Sequence, residues 1–221
     1  SSAASDVYKR QVIDQRNAGA SVTPTADGTY CLDRYRCGLS VASKFSVQQN
    51  AGSITPPTGY TNYLGVTSLS AYAVGASENF RITQIIEGFN CYDLGLGAAG
   101  ASTVTLSFWV RSSLTGTFGG TIYNSAANRS YPYSYAISSA NTWEQKSITI
   151  AGDTSGTWLT NNGTGLAVNW NLGAGATVSG TANTWSGTLY FAPTGAQSIV
   201  GTSGATFYIT GVQLERGTVA T

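Results

Sequence analysis

Trp109 and Arg111 lie two residues apart in TVTLSFWVRS (103–112), a stretch of alternating apolar and polar residues. Successive side chains of a β-strand point to opposite faces, so these two residues share a face that is opposite Phe108 and Val110. An indole offers a flat apolar surface, and a guanidinium offers several hydrogen-bond donors. Together they suit a ligand that has both C–H faces and hydroxyl groups, which is the chemistry of sugar recognition.

Two further stretches add amide side chains to this predicted face. In 143–150 the alternation turns Gln145 away from the apolar positions, and in 166–172 it does the same for Asn169 and Asn171. Amides can both donate to and accept from a hydroxyl group. We therefore predict one ligand-binding outer face that carries Trp109, Arg111, Gln145, Asn169 and Asn171. The alternative is an ordinary solvated face on which a loop covers Trp109.

Three tyrosines follow one another at every second position in SYPYSY (130–135), which places their rings on one face of a predicted strand. Pro132 cannot donate to a sheet ladder, which favours a strand at the edge of a sheet. Sugar contact, subunit contact and packing of at least two of the rings in the core are all open. Tyr131 and Tyr133 are included in the predicted ligand-binding set.

The composition excludes several kinds of chemistry. The chain has 221 residues, no histidine and a net charge of +1. Without histidine a Ser-His-Asp site, a Cys-His site and a histidine-ligated zinc are excluded within one chain. The near-zero charge gives no electrostatic footprint for nucleic acid. The acidic residues are scattered and no motif pairs them as glycoside hydrolysis requires, so we expect no enzyme, and a glycan-active enzyme is the least favoured alternative.

Short alternating stretches recur along the chain and are separated by Gly, Asn, Ser and Asp. We predict strands at 29–38, 41–49, 62–70, 80–87, 103–112, 117–123, 130–137, 143–150, 165–172, 187–191 and 206–215. Many short strands between turn signals indicate an all-β sandwich or barrel. We predict one β-sandwich domain over residues 29–221, with residues 1–28 as a leading segment. Its first eleven residues, SSAASDVYKRQ, resemble a translated sequencing adapter and are expected to be non-native. No apolar run reaches 18 residues, so no membrane insertion is expected.

The three cysteines, Cys31, Cys37 and Cys91, cannot all pair within one chain. If residues 29–38 form one extended strand, Cys31 and Cys37 lie roughly 20 Å apart, which is beyond disulfide reach. They could pair only if residues 32–36 turned back. We expect three reduced thiols.

The closing stretch ATFYITGVQLE (205–215), together with 103–112 and TWEQKSITI (142–150), resembles carbohydrate-binding-module-like jelly-roll domains of bacteriophage tail-fibre and other virion proteins of the marine metagenomic type. Asp33-Arg34-Tyr35 is similar to a signature that opens such domains. The resemblance implies a galactose-binding-like jelly roll that recognises host surface glycans without catalysis.

The same resemblance sets expectations for location, assembly and cofactors. It implies a location at the virion surface, outside the cell, and assembly into a homotrimer or a larger fibre. The alternative function is a structural or decoration module that has no ligand. Such modules often hold a structural calcium ion, for which Asp27, Asp33 and Glu215 would supply oxygens. Thr210 stands where their closing strand often carries Asp, and we expect no cofactor.

Overall fold

The structure, a computed structural model, describes residues 14–220, so the expectation of a non-native start at residues 1–11 lies outside the described residues. The strands are β1 (Thr29–Leu32), β2 (Tyr35–Leu39), β3 (Phe45–Gln49), β4 (Leu64–Ser68), β5 (Asn79–Glu87), β6 (Val104–Ser112), β7 (Gly116–Tyr123), β8 (Ser130–Ile137), β9 (Glu144–Ile150), β10 (Thr164–Ala174), β11 (Ser179–Gly180), β12 (Ala192–Pro193) and β13 (Thr206–Arg216). Four single-turn 3-10 segments complete the regular structure of this part of the chain. The predicted all-β class is confirmed.

Two antiparallel sheets form a jelly-roll β-sandwich. One sheet has six strands in the order β1-β2-β5-β10-β7-β8, and the other has five in the order β3-β4-β13-β6-β9. The closing strand β13 lies in the middle of the five-stranded sheet, between β4 and β6. No helix in residues 14–220 is long and apolar enough to cross a membrane.

The core between the sheets contains the apolar positions that the two-residue alternation predicts. Leu106, Phe108 and Val110 of β6 are at most 1% exposed, and Trp170 of β10 is fully buried opposite them. The rings of Phe108 and Trp170 meet edge to face, with their centroids 5.9 Å apart. Burying side chains of this size stabilises a fold by about 1.5–3 kcal/mol each, so these strands are held mainly by their inward faces.

The stretch 29–38 forms a hairpin, whereas the alternation predicts one strand. β1 turns back at Asp33 and Arg34 and pairs with β2, and Arg34 adopts a left-handed φ of 71°. Arginine gives no sequence signal for such a turn, since the usual residue there is Gly or Asn. Burial raises the pKa of the Cys37 thiol, and the turn brings Cys31 close enough to raise it further. Both are free thiols, as is Cys91.

A second difference concerns the long segment between β10 and β13. The predicted strand 187–191 does not form, and only the two-residue strands β11 and β12 pair here. The segment instead crosses the outer face of the six-stranded sheet. Phe191 contacts the ring of Tyr123 at a centroid distance of 6.2 Å and lies 4.3 Å from the guanidinium carbon of Arg81. The sequence alternation of 187–191 thus reflects packing on a sheet surface and not strand pairing.

The described part of the leading segment contacts the sandwich. Val22 forms a β-bridge with Val47 of β3, and the Asn17 amide donates to the carbonyl of Cys31 in β1 at 2.9 Å. Residues 14–28 therefore touch strands of both sheets.

Candidate binding face around Trp109

Trp109 lies on the outer face of the five-stranded sheet, in the middle of a row across three strands. Its pairing partners are Gln145 of β9 on one side and Thr210 of β13 on the other. The indole is half-buried and Gln145 is exposed. The next row holds Ser107, which pairs with Ser147 and Gln213. We call this region of the sheet, formed by Ser107, Trp109, Arg111, Gln145, Ser147, Thr210 and Gln213, the Trp109 face. Two of its residues, Ser107 and Thr210, are buried, at 2% and 0% exposed.

An aromatic cluster closes one end of the Trp109 face. Tyr208 pairs with Arg111 across β13 and β6, and the Arg111 guanidinium carbon lies 5.8 Å from the Tyr208 ring centroid. The Tyr208 and Tyr63 centroids are 5.0 Å apart, and those of Tyr63 and Trp143 are 5.5 Å apart. Arg111 thus extends beside aromatic rings that fix its direction by cation–π attraction.

The loop before β4 holds this cluster through hydrogen bonds. The Trp143 indole N–H donates to the carbonyl of Thr55 at 2.9 Å. The Tyr63 hydroxyl accepts the N–H of Ile54 at 2.9 Å and donates to the carbonyl of Ala51. Burial raises the pKa of Tyr63, although the Ile54 hydrogen bond and the charge of Arg111 act to lower it. The phenol therefore stays neutral at ordinary pH, and Arg111 supplies the positive charge at this end.

A bulge in β13 shapes the side of the face that is next to Trp109. The register between β13 and β6 shifts after Thr210, where Gly211 has a left-handed φ of 63°. The Tyr60 ring lies over Gly211, in the space that a side chain would fill. The Thr210 hydroxyl donates to the carbonyl of Asn62 at 2.7 Å. Loop 60–62 therefore forms a wall over Thr210 and Gly211, on the β13 side of Trp109, whereas Gln145 on the β9 side is exposed.

The Trp109 face can bind, but its strands offer little for acid–base catalysis. A partly exposed indole provides an apolar platform, and the neighbouring amides, hydroxyls and guanidinium can form hydrogen bonds. None of the seven residues of the Trp109 face has a carboxylate, and Glu215, further along β13, is only 6% exposed. Hydrolysis of a glycosidic bond uses two carboxylates that flank the bond.

The prediction that Asn169 and Asn171 share this face is wrong. Both lie on β10 in the six-stranded sheet, and they are 0% and 2% exposed. The Asn171 amide donates to the carbonyl of Gln197 at 3.2 Å, and its oxygen accepts the N–H of Gly173. Alternation shows which residues of a strand point the same way, but it does not show which sheet the strand joins. The crossing segment between β10 and β13 then buries this face.

The prediction that Tyr131 and Tyr133 bind a ligand is also wrong, since both face the core. They are 7% and 0% exposed, and Tyr135 is 8% exposed. Tyr135 contacts Phe108 of the opposite sheet at a centroid distance of 5.1 Å. The Tyr133 hydroxyl donates to the carbonyl of Asn169 at 2.6 Å. β8 is an edge strand, as Pro132 predicts, but an edge strand still buries one of its faces.

The proposed calcium ligands do not form a site. The Asp27 carboxylate accepts the N–H of Leu39, and that of Asp33 accepts the N–H of Gln15, whereas Glu215 lies on β13 in the other sheet. Residues 14–220 contain no group of three or more acidic, cysteine or histidine side chains that could hold a metal ion. The absence of a cofactor stays a prediction.

Three aromatic residues of this surface were not predicted as site residues: Tyr60, Trp143 and Tyr208. The sequence does indicate the positions of Trp143 and Tyr208. Trp143 is two residues before Gln145 and so points to the same face, and Tyr208 alternates with the buried Phe207 and Ile209. Tyr60 lies in a loop, where no periodicity applies. Its position depends on the bulge at Gly211, which sequence alternation does not reveal.

Comparison with known proteins gives fold-level likenesses only. No family model matches the chain, and no curated protein is similar to it in sequence. The enzymatically active domain of tailspike protein 4 of bacteriophage CBA120 is 11% identical over 88% of this chain, with a TM-score of 0.46, and this chain spans 21% of its length. The CBM22-1 xylan-binding domain of Paenibacillus barcinonensis Xyn10C is 10% identical over 91% of this chain and 95% of its own, with a TM-score of 0.43.

A family 11 carbohydrate-binding module from Clostridium thermocellum is 12% identical over 88% of this chain and 95% of its own, with a TM-score of 0.42. At these identities and scores, the comparisons assign no role to any residue of this protein.

Proposed function

We propose that this protein is a non-catalytic glycan-binding module whose Trp109 face contacts the sugar. The observation that carries the proposal is the half-buried Trp109, placed in one row with the exposed Gln145 and next to the exposed Ser147 of the following row. An indole left partly open on a sheet surface is a large apolar area that suits the C–H face of a sugar ring. Gln145 and Arg111 can then bind the hydroxyl groups at its rim.

The charge of this surface favours a neutral glycan. Arg111 is the only charged side chain among the seven residues of the Trp109 face, and the aromatic cluster occupies one side of its guanidinium. Binding there would depend on stacking and hydrogen bonds, so we expect it to change little with ionic strength.

A printed array of neutral bacterial polysaccharides tests the proposal. Labelled wild-type protein and labelled Trp109→Ala are applied to identical arrays. We expect the wild type to bind a small group of related glycans and Trp109→Ala to bind none of them. Silence of the wild type on every neutral glycan, combined with self-association in sedimentation experiments, would favour a structural or decoration module in its place.

We further propose that the module acts at a virion surface as part of a tail fibre or a similar attachment protein. The support is the resemblance of its strands β6, β9 and β13 to those of such domains. The test is adsorption of the labelled protein to bacterial cells whose surface polysaccharide is intact or removed. Equal adsorption to both would contradict attachment through glycans.

A further inference from the structure

A pocket lies on the side of the sandwich opposite the Trp109 face, at the β1–β2 end of the six-stranded sheet. It is open to solvent, has a volume of about 610 Å³, and is lined by Arg16, Tyr30, Arg34, Arg36, Asn90 and Asn162 among others. Its volume falls in the range of small-molecule binding sites, about 300–1,000 Å³. We call it the arginine pocket.

Positive charge is concentrated in the arginine pocket. The whole chain has 11 Lys and Arg residues against 10 Asp and Glu residues, yet three arginines and only one acidic residue, Glu87, line this pocket. In the described part of the chain, no carboxylate forms a salt bridge with Arg16 or Arg36. Among the residues that the structure describes, guanidinium groups thus outnumber carboxylates in this pocket.

Tyr30 holds two of the guanidinium groups. The guanidinium carbons of Arg16 and Arg36 lie 4.9 and 4.7 Å from the centroid of its ring. The Arg36 Nη2 also donates to the Tyr30 hydroxyl at 2.6 Å. The two positive charges are therefore kept within about 10 Å of each other by one aromatic ring.

Hydrogen bonds hold the loop of Arg16 against the β1–β2 hairpin. The buried Asp14 carboxylate accepts the N–H groups of Asn17 and Gly19, which closes the turn that carries Arg16. Asn17 then bonds the carbonyl of Cys31, and the N–H of Gln15 bonds Asp33 at the tip of the hairpin. These hydrogen bonds thus hold Arg16 close to Arg34 and Arg36 of the hairpin.

Donors at the inner edge of this arrangement are unused. The Arg36 Nε is buried and has no hydrogen-bond partner. Thr83, which pairs with Arg36 across the sheet, is 5% exposed, and its hydroxyl also has no partner. A buried polar group without a partner is costly. Because both atoms are buried and Thr83 does not line the pocket, they lie next to the ligand-accessible space and not in it.

We infer that the arginine pocket binds an acidic saccharide, whose carboxylate or sulfate group contacts Arg16 and Arg36. A planar guanidinium can form two parallel hydrogen bonds to either oxyanion. The exposed amides of Asn90 and Asn162 lie where they can bind the hydroxyl groups of the same sugar. The saccharide part of this inference rests on the proposed function, whereas the anionic part rests on the arginines.

Titration calorimetry with three oligosaccharides tests the inference: tetragalacturonic acid, its neutral methyl ester and a sulfated galactan oligosaccharide. We expect the free acid to bind and the ester to bind at least tenfold more weakly. We expect affinity for the acid to fall as NaCl rises from 20 to 500 mM, since exposed charge pairs are screened by salt. The sulfated oligosaccharide shows whether the pocket takes sulfate as well as carboxylate.

Arg16→Gln is the main variant, because Arg16 is exposed and its loss should leave the fold intact; Arg36→Gln is the second. Arg216→Gln is the matched control, since it removes the same charge at an exposed position outside the pocket. We expect a loss of tenfold or more for the two pocket variants and less than twofold for the control. Equal binding of acid and ester, or equal effects of Arg16→Gln and Arg216→Gln, would overturn the inference.

Two further measurements distinguish the arginine pocket from the Trp109 face and an acidic saccharide from a polyphosphate. Trp109→Ala should keep its affinity for tetragalacturonic acid, because Trp109 lies on the other sheet. If neutral glycans never bind but the acid does, the proposed function of the Trp109 face fails and the pocket remains. If a single-stranded oligonucleotide binds more tightly than the acid and depends equally on Arg16, the ligand is a polyphosphate and the saccharide is wrong.

Discussion

Trp109 and Trp170 both lie on central strands, but we expect their removal to have different effects on stability and on ligand binding. Trp170 is fully buried in the core, whereas Trp109 is half-buried on an outer face. The first contributes mainly to the free energy of unfolding, and the second has apolar surface left for a ligand.

We therefore expect Trp109→Ala to weaken glycan binding by about 1–3 kcal/mol, the range for an aromatic hot spot, and to leave the unfolding temperature nearly unchanged. Trp170→Ala should instead lower the free energy of unfolding by about 3–5 kcal/mol. Calorimetric titration and thermal unfolding of both variants provide the check. A large loss of stability in Trp109→Ala would mean that the indole is a packing residue, as in the alternative of a covered tryptophan.

Tyr133 and Tyr135 are two buried tyrosines on one face of β8 whose hydroxyl groups should contribute differently to the free energy of unfolding. The Tyr133 hydroxyl donates to the carbonyl of Asn169, whereas the Tyr135 hydroxyl is buried without a partner. We expect Tyr133→Phe to lower the free energy of unfolding by about 1 kcal/mol and Tyr135→Phe to leave it unchanged or raise it slightly. Urea unfolding of the two variants measures the difference. Equal losses in both would contradict this assignment.

At the scale of single elements, most strands could be predicted because their apolar residues alternate with a period of two. β6, β9 and β10 have the inward residues that this period gives. The β1–β2 turn could not be predicted, because it depends on Arg34 in a left-handed conformation. The row of Gln145 and Trp109 could be predicted in part, but the burial of Asn169 could not, since it depends on sheet order and on the crossing segment.

The bulge in β13 is the element that positions the wall of the Trp109 face. Gly211→Ala would add a Cβ within 2.6 Å of the Tyr60 ring at a residue whose φ is 63°. We expect a loss of about 1–2 kcal/mol from the left-handed backbone, together with displacement of Tyr60 and weaker glycan binding.

Gly204→Ala is the matched control for this prediction. Gly204 has a φ of 73°, but a Cβ there would meet nothing within 4 Å. It should lose a similar amount of stability in urea unfolding and keep its glycan affinity. Weaker glycan binding in Gly204→Ala would show that general destabilisation, and not the Tyr60 wall, affects the site.

Over the whole molecule, the titrating groups predict how stability depends on pH. The chain has no histidine, so no side chain with an ordinary pKa titrates between about pH 6 and 8. On the alkaline side, burial raises the pKa of Tyr133 and Tyr135 well above the ordinary value of 10. Burial and the charge of Asp93 raise the pKa of Cys91 to about 11.

These raised values fix the sign of the alkaline effect. A thiol or phenol whose pKa is higher in the folded state keeps its proton there longer than in the unfolded chain. Its contribution to stability is complete below the unfolded pKa, and it is lost as the pH rises towards the folded value. For Cys91 the loss runs from about pH 9 to about pH 11, and for the two tyrosines it begins near pH 10.

We therefore expect the urea midpoint to be nearly constant from pH 6 to 8 and to fall steadily above pH 9. Cys91→Ala should reduce the fall between pH 9 and 10, where the unfolded thiol ionises and the folded one does not. Tyr135→Phe should reduce only the part above pH 10, because it removes one buried phenol and leaves the thiol in place. Urea unfolding at half-unit steps from pH 6 to 10.5, followed by tryptophan fluorescence, measures all three chains. A wild-type midpoint that stays constant up to pH 10.5 would mean that these groups ionise in the folded protein as easily as in the unfolded chain, against the burial that the structure gives them.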